Sequence, residues 1–577
     1  MRKHSKSLFV VLVIVALAAI ALVACGTETV VETVIVTEKG DTIVVTEKGD
    51  TVVETVIVEK LVIASPAPVG KEAGYGGTIR WTLHGDVATL DVLVTTSQPR
   101  IGALHSQERL FDFDEDLAPH PTLVDSWVTS SDGLTWTFKL REGLTFNGPV
   151  EGRAVTSTHA MESWKRWMVR DNFGVLLSEF IESIETPDDL TFVVKVNEST
   201  GLLLDGLARL GGHEPFVMPP EMYAVDPTEG PGSGDMDTFG GTGPYQLVVW
   251  KPGDKLVFTK WDDYKPSSGP TSFHSGTKHA YADVLEAIVV PEEASRIAAL
   301  LTGQVDFIGG ISGDSRAQLE AAPDTNVYVD MTSALRIGTW PNHVKGPMSD
   351  ARVRRAVMMA YPKEDALLAN TGAPDLYRLC GSLMICDTRW GGLRTPGDEI
   401  YYDPPNIEGA KALIEEAGFT GAPVTLLTRG GAAKEALVTR ELLVDLGFEV
   451  EYLNVDSATY KERRADPDKF DLFHTGGPVS WGGISPLLNS TLSKLGYHNK
   501  YQDPSGKFTE MLSEFARATR ERQDELVEEM QIQFYKDLQY LPIGEVLPLI
   551  AQSQSLHGVE QRLEAGHPSF VNAWIDR

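Results

Sequence analysis

The stretch from residue 117 to residue 143 decides the fold, and it reads LAPHPTLVDSWVTSSDGLTWTFKLREG. Its second half contains TWTFKL at residues 135–140, where polar side chains alternate with apolar and aromatic ones, and this pattern predicts a strand. Similar patterns lie on both sides of it, at residues 78–83, 191–196, 245–250 and 255–259. The sequence therefore predicts several short strands spread along the chain.

Helical patterns are interspersed with these strands. Apolar residues recur at helical spacing over residues 354–361, 410–417 and 526–538. Ser349-Asp350 is placed to cap the first of these helices, and Gly418 is placed to end the second. Because strands and helices are intermixed along the whole chain, we expect an α/β architecture.

The first 24 residues have the form of an export signal. A positive start is followed by an uncharged apolar run at residues 8–23. This run is shorter than the roughly 20 residues that a transmembrane helix needs, which argues against a stop-transfer anchor. The run ends in LVAC at residues 22–25, which resembles the lipobox of bacterial lipoproteins. We therefore expect an extracytoplasmic protein that is anchored to the cell membrane by a lipid on Cys25.

The composition is that of a soluble globular protein. The 577 residues are 42% hydrophobic and 23% charged, and the formal net charge is −30. Such a charge repels nucleic acid and favours solubility, so we predict no nucleic-acid partner.

Residues 25–75 are predicted to form a low-complexity tether. VETVIV occurs at residues 31–36 and 53–58, and TEKGDT occurs at residues 37–42 and 46–51. There are too few repeats to build a solenoid core, so we interpret the segment as a spacer that lifts the folded domain off the membrane.

Two further cysteines, Cys380 and Cys386, enclose a five-residue loop. A disulfide is favoured in an oxidising compartment, with two free thiols as the alternative. A metal site is disfavoured because two thiols without a nearby His or Cys pair are half a ligand set.

The sequence lacks the common catalytic motifs. It contains no HExxH, no GxSxG, no phosphate loop and no paired-Cys zinc spacing, and its histidines are scattered singly. We therefore predict that the protein is not an enzyme and holds no metal or cofactor.

Seven segments, in order, resemble the extracellular solute-binding proteins of family 5, which serve ABC importers for peptides, nickel and related solutes. The closest match is residues 117–143, which resemble the family's Trp strand, Asp-Gly hairpin and Arg-Glu-Gly turn. The other matching segments are residues 76–91, 241–254, 301–306, 349–356, 402–418 and 570–574.

The resemblance implies a two-lobed periplasmic-binding-protein-like fold with an extra subdomain inserted in the first lobe. It also implies that a solute is bound between the lobes. The implied domains are domain I at residues 76–95, 232–330 and 543–577, domain II at 96–231, and domain III at 331–542.

The resemblance places ligand contacts in domain III. In peptide-binding members, a Trp-x-x-Asp segment supplies an aspartate that pairs with the peptide's amino group. Here Trp481 matches the tryptophan, but Ile484 stands where the aspartate would be, and Gly482 and Gly483 leave room for a ring or a sugar. Ligand contact and core packing remain open for Trp481.

Two other groups are candidates by the same resemblance. Trp340 and Asn342 precede the domain III helix, where the family often contributes cleft contacts. Arg389 and Arg394 lie in a loop that meets the ligand's carboxylate in some members, and Trp390 beside them could stack on a sugar or an aromatic group. Surface solvation remains the alternative for the two arginines.

The resemblance implies a monomeric, membrane-anchored solute-binding component that delivers a peptide or another organic solute to ABC permease subunits. The alternative is a sensor or envelope interaction lipoprotein on the same fold, and neighbouring permease and ATPase genes would distinguish the two. Peptides, oligosaccharides and nickel complexes all remain open as the solute.

Overall fold

The structure is a computed structural model that describes residues 74–94, 100–227, 229, 236–331, 334–386, 390–429, 434–478, 503, 506–559, 563–564 and 567–576. Residues 73–577 form one compact unit. The predicted signal, Cys25 and all but the last two residues of the predicted tether lie outside the described residues. In the part of the chain that is described, no helix is long and apolar enough to span a membrane.

Most strands belong to three sheets. In chain order the strands are β1 (Thr78–Leu83), β2 (Phe111–Phe113), β3 (Pro119–Pro121), β4 (Val124–Thr129), β5 (Thr135–Leu140), β6 (Ile181–Asp188), β7 (Thr191–Val196), β8 (Tyr245–Lys251), β9 (Lys255–Lys260), β10 (Val284–Val289), β11 (Phe307–Ile311), β12 (Thr325–Val329), β13 (Leu335–Pro341), β14 (Tyr377–Arg378), β15 (Pro423–Arg429), β16 (Glu449–Val455), β17 (Leu472–Pro478), β18 (Leu541–Val546), β19 (Leu549–Ser553), β20 (Leu556–His557), β21 (Leu563–Glu564), β22 (His567–Pro568) and β23 (Trp574–Ile575).

The helices lie between and around the sheets. In chain order they are α1 (Arg100–Ser106), α2 (Ser157–Met168), α3 (Asn172–Ser178), α4 (Leu203–Leu207), α5 (Pro220–Tyr223), α6 (Glu293–Leu301), α7 (Arg316–Glu320), α8 (Ala351–Ala360), α9 (Lys363–Thr371), α10 (Glu399–Tyr402), α11 (Ile407–Ala417), α12 (Lys434–Asp445), α13 (Ser457–Arg464), α14 (Lys507–Arg517) and α15 (Arg520–Asp537).

The first lobe is built on a seven-stranded sheet with the order β12-β19-β11-β1-β10-β9-β8. An aromatic cluster fills its core. The His105 ring lies 5.5 Å from Trp81, 5.4 Å from Phe258 and 5.9 Å from Phe570 between ring centroids, and all four side chains are buried. This cluster ties α1 and the C-terminal segment to the sheet.

A four-stranded sheet, ordered β4-β5-β7-β6, is attached to the first lobe. Its β4–β5 hairpin comes from the stretch 117–143, and Gly133 in the turn has φ +73°, a conformation that favours glycine. The buried Asn147 fixes the attachment, because its side-chain amide donates to the carbonyls of Ser106, Gly243 and Tyr245. The seven-stranded and four-stranded sheets therefore form one lobe.

The second lobe is built on a six-stranded sheet with the order β14-β18-β13-β17-β15-β16. Helix α8 begins where the Asp350 side chain accepts a hydrogen bond from the Arg352 N–H, and α11 ends at Gly418 in the left-handed conformation, as predicted. Arg354 of α8 donates to the Asp537 carbonyl at the end of α15, which binds α15 to this lobe.

Within the described residues, two crossings of the chain join the lobes. The chain passes from β12 to β13 through residues 330–334 and returns from β18 to β19 through residues 547–548. The Asp330 N–H donates to the Pro548 carbonyl at 2.8 Å, so the two crossings lie side by side. The predicted two-lobed α/β fold is confirmed. The domain boundaries remain a prediction, and the one at 542/543 falls inside β18, a strand of the second-lobe sheet.

Candidate functional site

The positions of the two crossings show which edge of each sheet lies toward the other lobe. In the first lobe the parallel strands β1, β10 and β11 all end at the edge where the crossings attach. In the second lobe the parallel strands β15, β16 and β17 end at the corresponding edge, because β17 runs antiparallel to β13, whose first residue follows a crossing. Open α/β sheets bind ligands outside the carboxyl ends of their strands. The candidate site is therefore the space between these two edges.

The first-lobe edge is held in place by buried hydrogen bonds. Arg296 is 4% exposed and donates to the carbonyls of Val290, Pro291 and Gly310, which join the ends of β10 and β11. Glu293 accepts from the Ser312 backbone N–H. Both charged side chains bond to the backbone that follows β10 and β11. The loops at this edge are therefore held in a fixed conformation before any solute binds.

A buried Arg–Glu–Arg triad lies at the second-lobe edge. Glu545 is fully buried, and its two carboxylate oxygens accept from Arg336 at 3.2 Å and from Arg378 at 2.7 Å. Burial alone would lower the pKa of Arg336, but Tyr540 and Glu545 hold that pKa above its usual value. Two guanidinium groups and one carboxylate give the triad one net positive charge.

The two arginines of the triad also form hydrogen bonds with the loop that follows β14. Arg336 donates to the carbonyls of Leu383 and Met384, both at 2.7 Å, and Arg378 donates to the Cys386 carbonyl at 2.9 Å. Cys380 and Cys386 form a disulfide in the structure, with Cα atoms 6.0 Å apart. The loop is thus held at its base by a covalent bond and by two guanidinium groups.

Among the described residues, Cys380, Cys386 and Glu545 form the one cluster with the side-chain types and spacing of a metal site. They do not fit a metal ion. The two sulfur atoms are bonded to each other, and the carboxylate is already neutralised by two arginines.

The carboxyl end of β15 presents an accessible cation. Arg429 is exposed, and its guanidinium carbon lies 5.5 Å from the ring centroid of the buried Tyr460. The Arg464 guanidinium lies 5.0 Å from the same centroid. Within the described part of the chain, no carboxylate is within ion-pair distance of Arg429. A guanidinium in this setting can form charge-assisted hydrogen bonds with a carboxylate or phosphate group.

The structure places Trp340 and Asn342 away from this edge. Both lie at or just after the end of β13, at the opposite end of the sheet from the crossings. Trp340 stacks between Phe473 at 5.8 Å and Tyr540 at 5.2 Å. The fully buried Asn342 donates its amide to two loop carbonyls. This geometry favours a packing role for both side chains over ligand contact.

Trp390 and Arg394 lie in the loop held by the triad. Trp390 is 4% exposed, and its indole N–H donates to Asp524 at 2.6 Å. Arg394 forms a two-bonded pair with Asp398 and lies 3.7 Å above the Tyr402 ring. Both side chains therefore have partners within the second lobe. The remaining candidates, Arg389, Trp481, Gly482 and Gly483, lie outside the described residues.

Sequence reasoning missed the residues that define this edge, namely Arg336, Arg378, Glu545 and Arg429. Glu545 lies 209 positions from Arg336 and 167 from Arg378, and only the strand register brings them together. For Arg429 a signal was available, because it ends a β-branched and leucine-rich run just before two glycines and a helical stretch. That order marks the carboxyl end of a parallel strand.

Two α/β lobes joined by paired crossings, with strand ends facing each other, define a two-lobed binding protein. The chain belongs to the bacterial extracellular solute-binding proteins of family 5, whose family model matches residues 118–499. The resemblance seen in the sequence is thereby confirmed.

Individual relatives are distant but cover most of the chain. A probable peptide ABC transporter periplasmic-binding protein of Sinorhizobium fredii is 25% identical over 508 residues, which are 84% of this chain and 91% of that protein. Heme-binding protein A of Haemophilus influenzae is 22% identical over 493 residues, covering 79% and 84%.

Solved structures show the same fold. The binding protein DppA from Helicobacter pylori in complex with the peptide STSA has a TM-score of 0.69 at 19% identity, covering 87% of this chain and 99% of that one. NikA from Brucella suis in complex with Fe(III)-EDTA has a TM-score of 0.72 at 19% identity, covering 87% and 100%.

Proposed function

We propose that this protein is the lipid-anchored solute-binding component of an ABC importer, which captures a peptide or another organic solute between its lobes and presents it to the permease. The observation that carries the proposal is the pair of strand-end edges that face each other across two adjacent crossings. A solute that contacts both edges stabilises the closed arrangement, and this shift in population is the signal that a permease can recognise.

The second-lobe edge favours a solute that carries an anionic group. The chain as a whole is strongly acidic, yet this edge presents Arg429 and the net positive charge of the triad. We propose that Arg429 pairs with a carboxylate of the solute, such as the C-terminus of a peptide. The named relatives include binding proteins for a peptide transporter and for heme, and both peptides and heme bear carboxylates.

A thermal-shift screen of the exported protein tests the solute class. The panel contains a tetrapeptide pool, the same pool amidated at the C-terminus, neutral oligosaccharides and nickel complexes. A ligand at 100 times its dissociation constant stabilises the folded protein by about 2.7 kcal/mol. We expect the free-acid peptides to raise the melting temperature and the amidated peptides to fail. Stabilisation by neutral sugars alone would refute an anionic solute.

Arg429→Gln supplies the residue-level test. Loss of a hydrogen bond to a charged group typically costs about 1.5–3 kcal/mol, so the affinity for the active peptides is expected to fall by about 10-fold to 160-fold. Arg440→Gln is the matched control, because Arg440 also lies over a tyrosine ring but sits on α12 and pairs with Glu441. Equal affinities for the two variants would remove Arg429 from the site.

The cellular location follows from the family and the N-terminal sequence. The family is extracellular, and the LVAC sequence at residues 22–25 is the proposed lipidation site. We propose that Cys25 carries the lipid and that residues 25–75 act as a tether between the membrane and the two lobes.

A further inference from the structure

A second contact between the lobes lies apart from the crossings. The Thr200 hydroxyl donates to the Ala516 carbonyl at 2.8 Å, and the Arg517 guanidinium pairs with Glu198 at 2.7 Å. The same guanidinium lies 4.7 Å from the ring centroid of Phe180. We call these five residues the interlobe latch.

The two halves of the latch belong to different lobes. Phe180 immediately precedes β6 and the 198–200 segment follows β7, so both lie at one end of the four-stranded sheet of the first lobe. Ala516 and Arg517 end α14, which packs with α15 on the second lobe. Lobes that are joined by two crossings can change their relative angle. The latch does not involve the crossings, so its bonds form only at some of the angles that the lobes can adopt.

We propose that the interlobe latch stabilises the closed form, which makes Arg517 and Thr200 positioning residues for solute capture that do not touch the solute. This inference rests on the proposed function, because it concerns closure around the same site. Each latch bond that forms only on closure raises the closed population, and the apparent solute affinity rises by the same factor while the open form predominates without solute.

The latch adjoins the loop that the triad holds. The Trp390 ring packs edge-on against Phe515 at 5.8 Å, and its N–H bonds to Asp524. Phe515 is the residue before Ala516, and Gln523 donates to the Phe515 carbonyl. The latch and Trp390 therefore contact the same junction of α14 and α15.

The expected effects follow from the exposure of each bond. The Arg517–Glu198 pair is partly exposed, at 37% and 45% of the two side chains, so Arg517→Ala should weaken solute binding only about threefold. The Thr200 hydroxyl bond is buried, so Thr200→Val should weaken binding about fivefold. Thr200→Ser keeps the hydroxyl and should restore most of the affinity.

Arg522→Ala is the matched control for Arg517→Ala. Arg522 also lies at the junction of α14 and α15, but its ion pairs with Glu514, Glu525 and Glu529 all stay within these two helices. Stopped-flow binding of the tetrapeptide pool should show faster release for the two latch variants and an unchanged association rate. Arg522→Ala should match the wild type in both rates. Latch variants that release peptide at the rate of Arg522→Ala would overturn the proposal.

Cross-linking tests whether the two halves of the latch meet, and it can be run with or without solute. The exported Glu198→Cys/Arg517→Cys protein should be joined by a short bis-maleimide, as detected by mass spectrometry of the linked peptides, and added peptide should accelerate the reaction. Glu198→Cys/Arg522→Cys should react more slowly, since Arg522 faces partners in its own helices. A folded double variant that does not cross-link refutes the latch. If no tetrapeptide binds the wild type, the peptide proposal fails, and the cross-link still decides whether the lobes meet here.

Discussion

Acidification should destabilise the first lobe through a single buried histidine. His105 is fully buried, its Nδ1 lies 2.7 Å from the Ile101 carbonyl, and its Nε2 accepts from the Phe570 N–H. The ring is therefore neutral, with its proton on Nδ1. Burial lowers the pKa of His105 from 6.5 to about 4.

The sign and size of the effect follow from this shift. Below pH 6.5 the unfolded chain binds a proton at His105, whereas the folded chain does not bind it until about pH 4. Stability therefore falls as the pH falls through this window, by about 2.5 kcal/mol between pH 7.5 and pH 4.5. Between pH 8.5 and pH 7.5 this histidine contributes almost no change, because it is neutral in both states.

The variant His105→Asn isolates the contribution of His105 to the pH dependence of the free energy of unfolding. Asparagine keeps a donor near the Nδ1 position but does not titrate, so the variant should be less stable at pH 7.5 yet lose about 2.5 kcal/mol less on acidification to pH 4.5. Urea unfolding, followed by tryptophan fluorescence at pH 8.5, 7.5 and 4.5, measures both proteins. If the wild type and the variant lose the same stability between pH 7.5 and 4.5, the buried neutral histidine is not a source of acid sensitivity.

Three further predictions concern the anchor, the loop and the solute. Cys25→Ala should abolish labelling with a radioactive fatty acid, and labelling that persists would exclude Cys25 as the lipidation site. Mass spectrometry of the exported protein without reduction should show Cys380 and Cys386 joined, about 2 mass units below the dithiol form; alkylation of both thiols without reduction would contradict the pairing. Trp481→Ala should weaken solute binding by about 1–3 kcal/mol if its ring stacks on the solute, and unchanged affinity in calorimetry would assign Trp481 to packing.

Local features of the fold could be read from the sequence. The strands at 78–83, 135–140 and 191–196 were predicted with the bounds that the structure has, because each alternates side chains between two faces. Ser349-Asp350 and Gly418 were predicted at helix ends, because an aspartate side chain can accept from the first N–H groups of a helix and glycine, which has no side chain, readily adopts the left-handed conformation.

The site depends on register and on distant partners, and these were not predicted. Trp390 was a candidate for stacking on the solute, and its N–H bonds to Asp524, 134 positions away. The latch bond from Thr200 spans 316 positions. No periodic pattern encodes such contacts, because they follow from how whole elements pack. A periodic pattern reports only which face of one helix or strand is buried.

Asn147 has a practical consequence for studies of this protein. Its amide is shared among backbone carbonyls that belong to α1, the 241–245 stretch and β8, and its own side-chain oxygen accepts from the Gly241 N–H. These hydrogen bonds hold the two sheets of the first lobe together at a side chain that is only 1% exposed. A pair of fluorophores on these two sheets should report a constant distance, and either sheet can carry the fixed reference label when opening is measured against the second lobe.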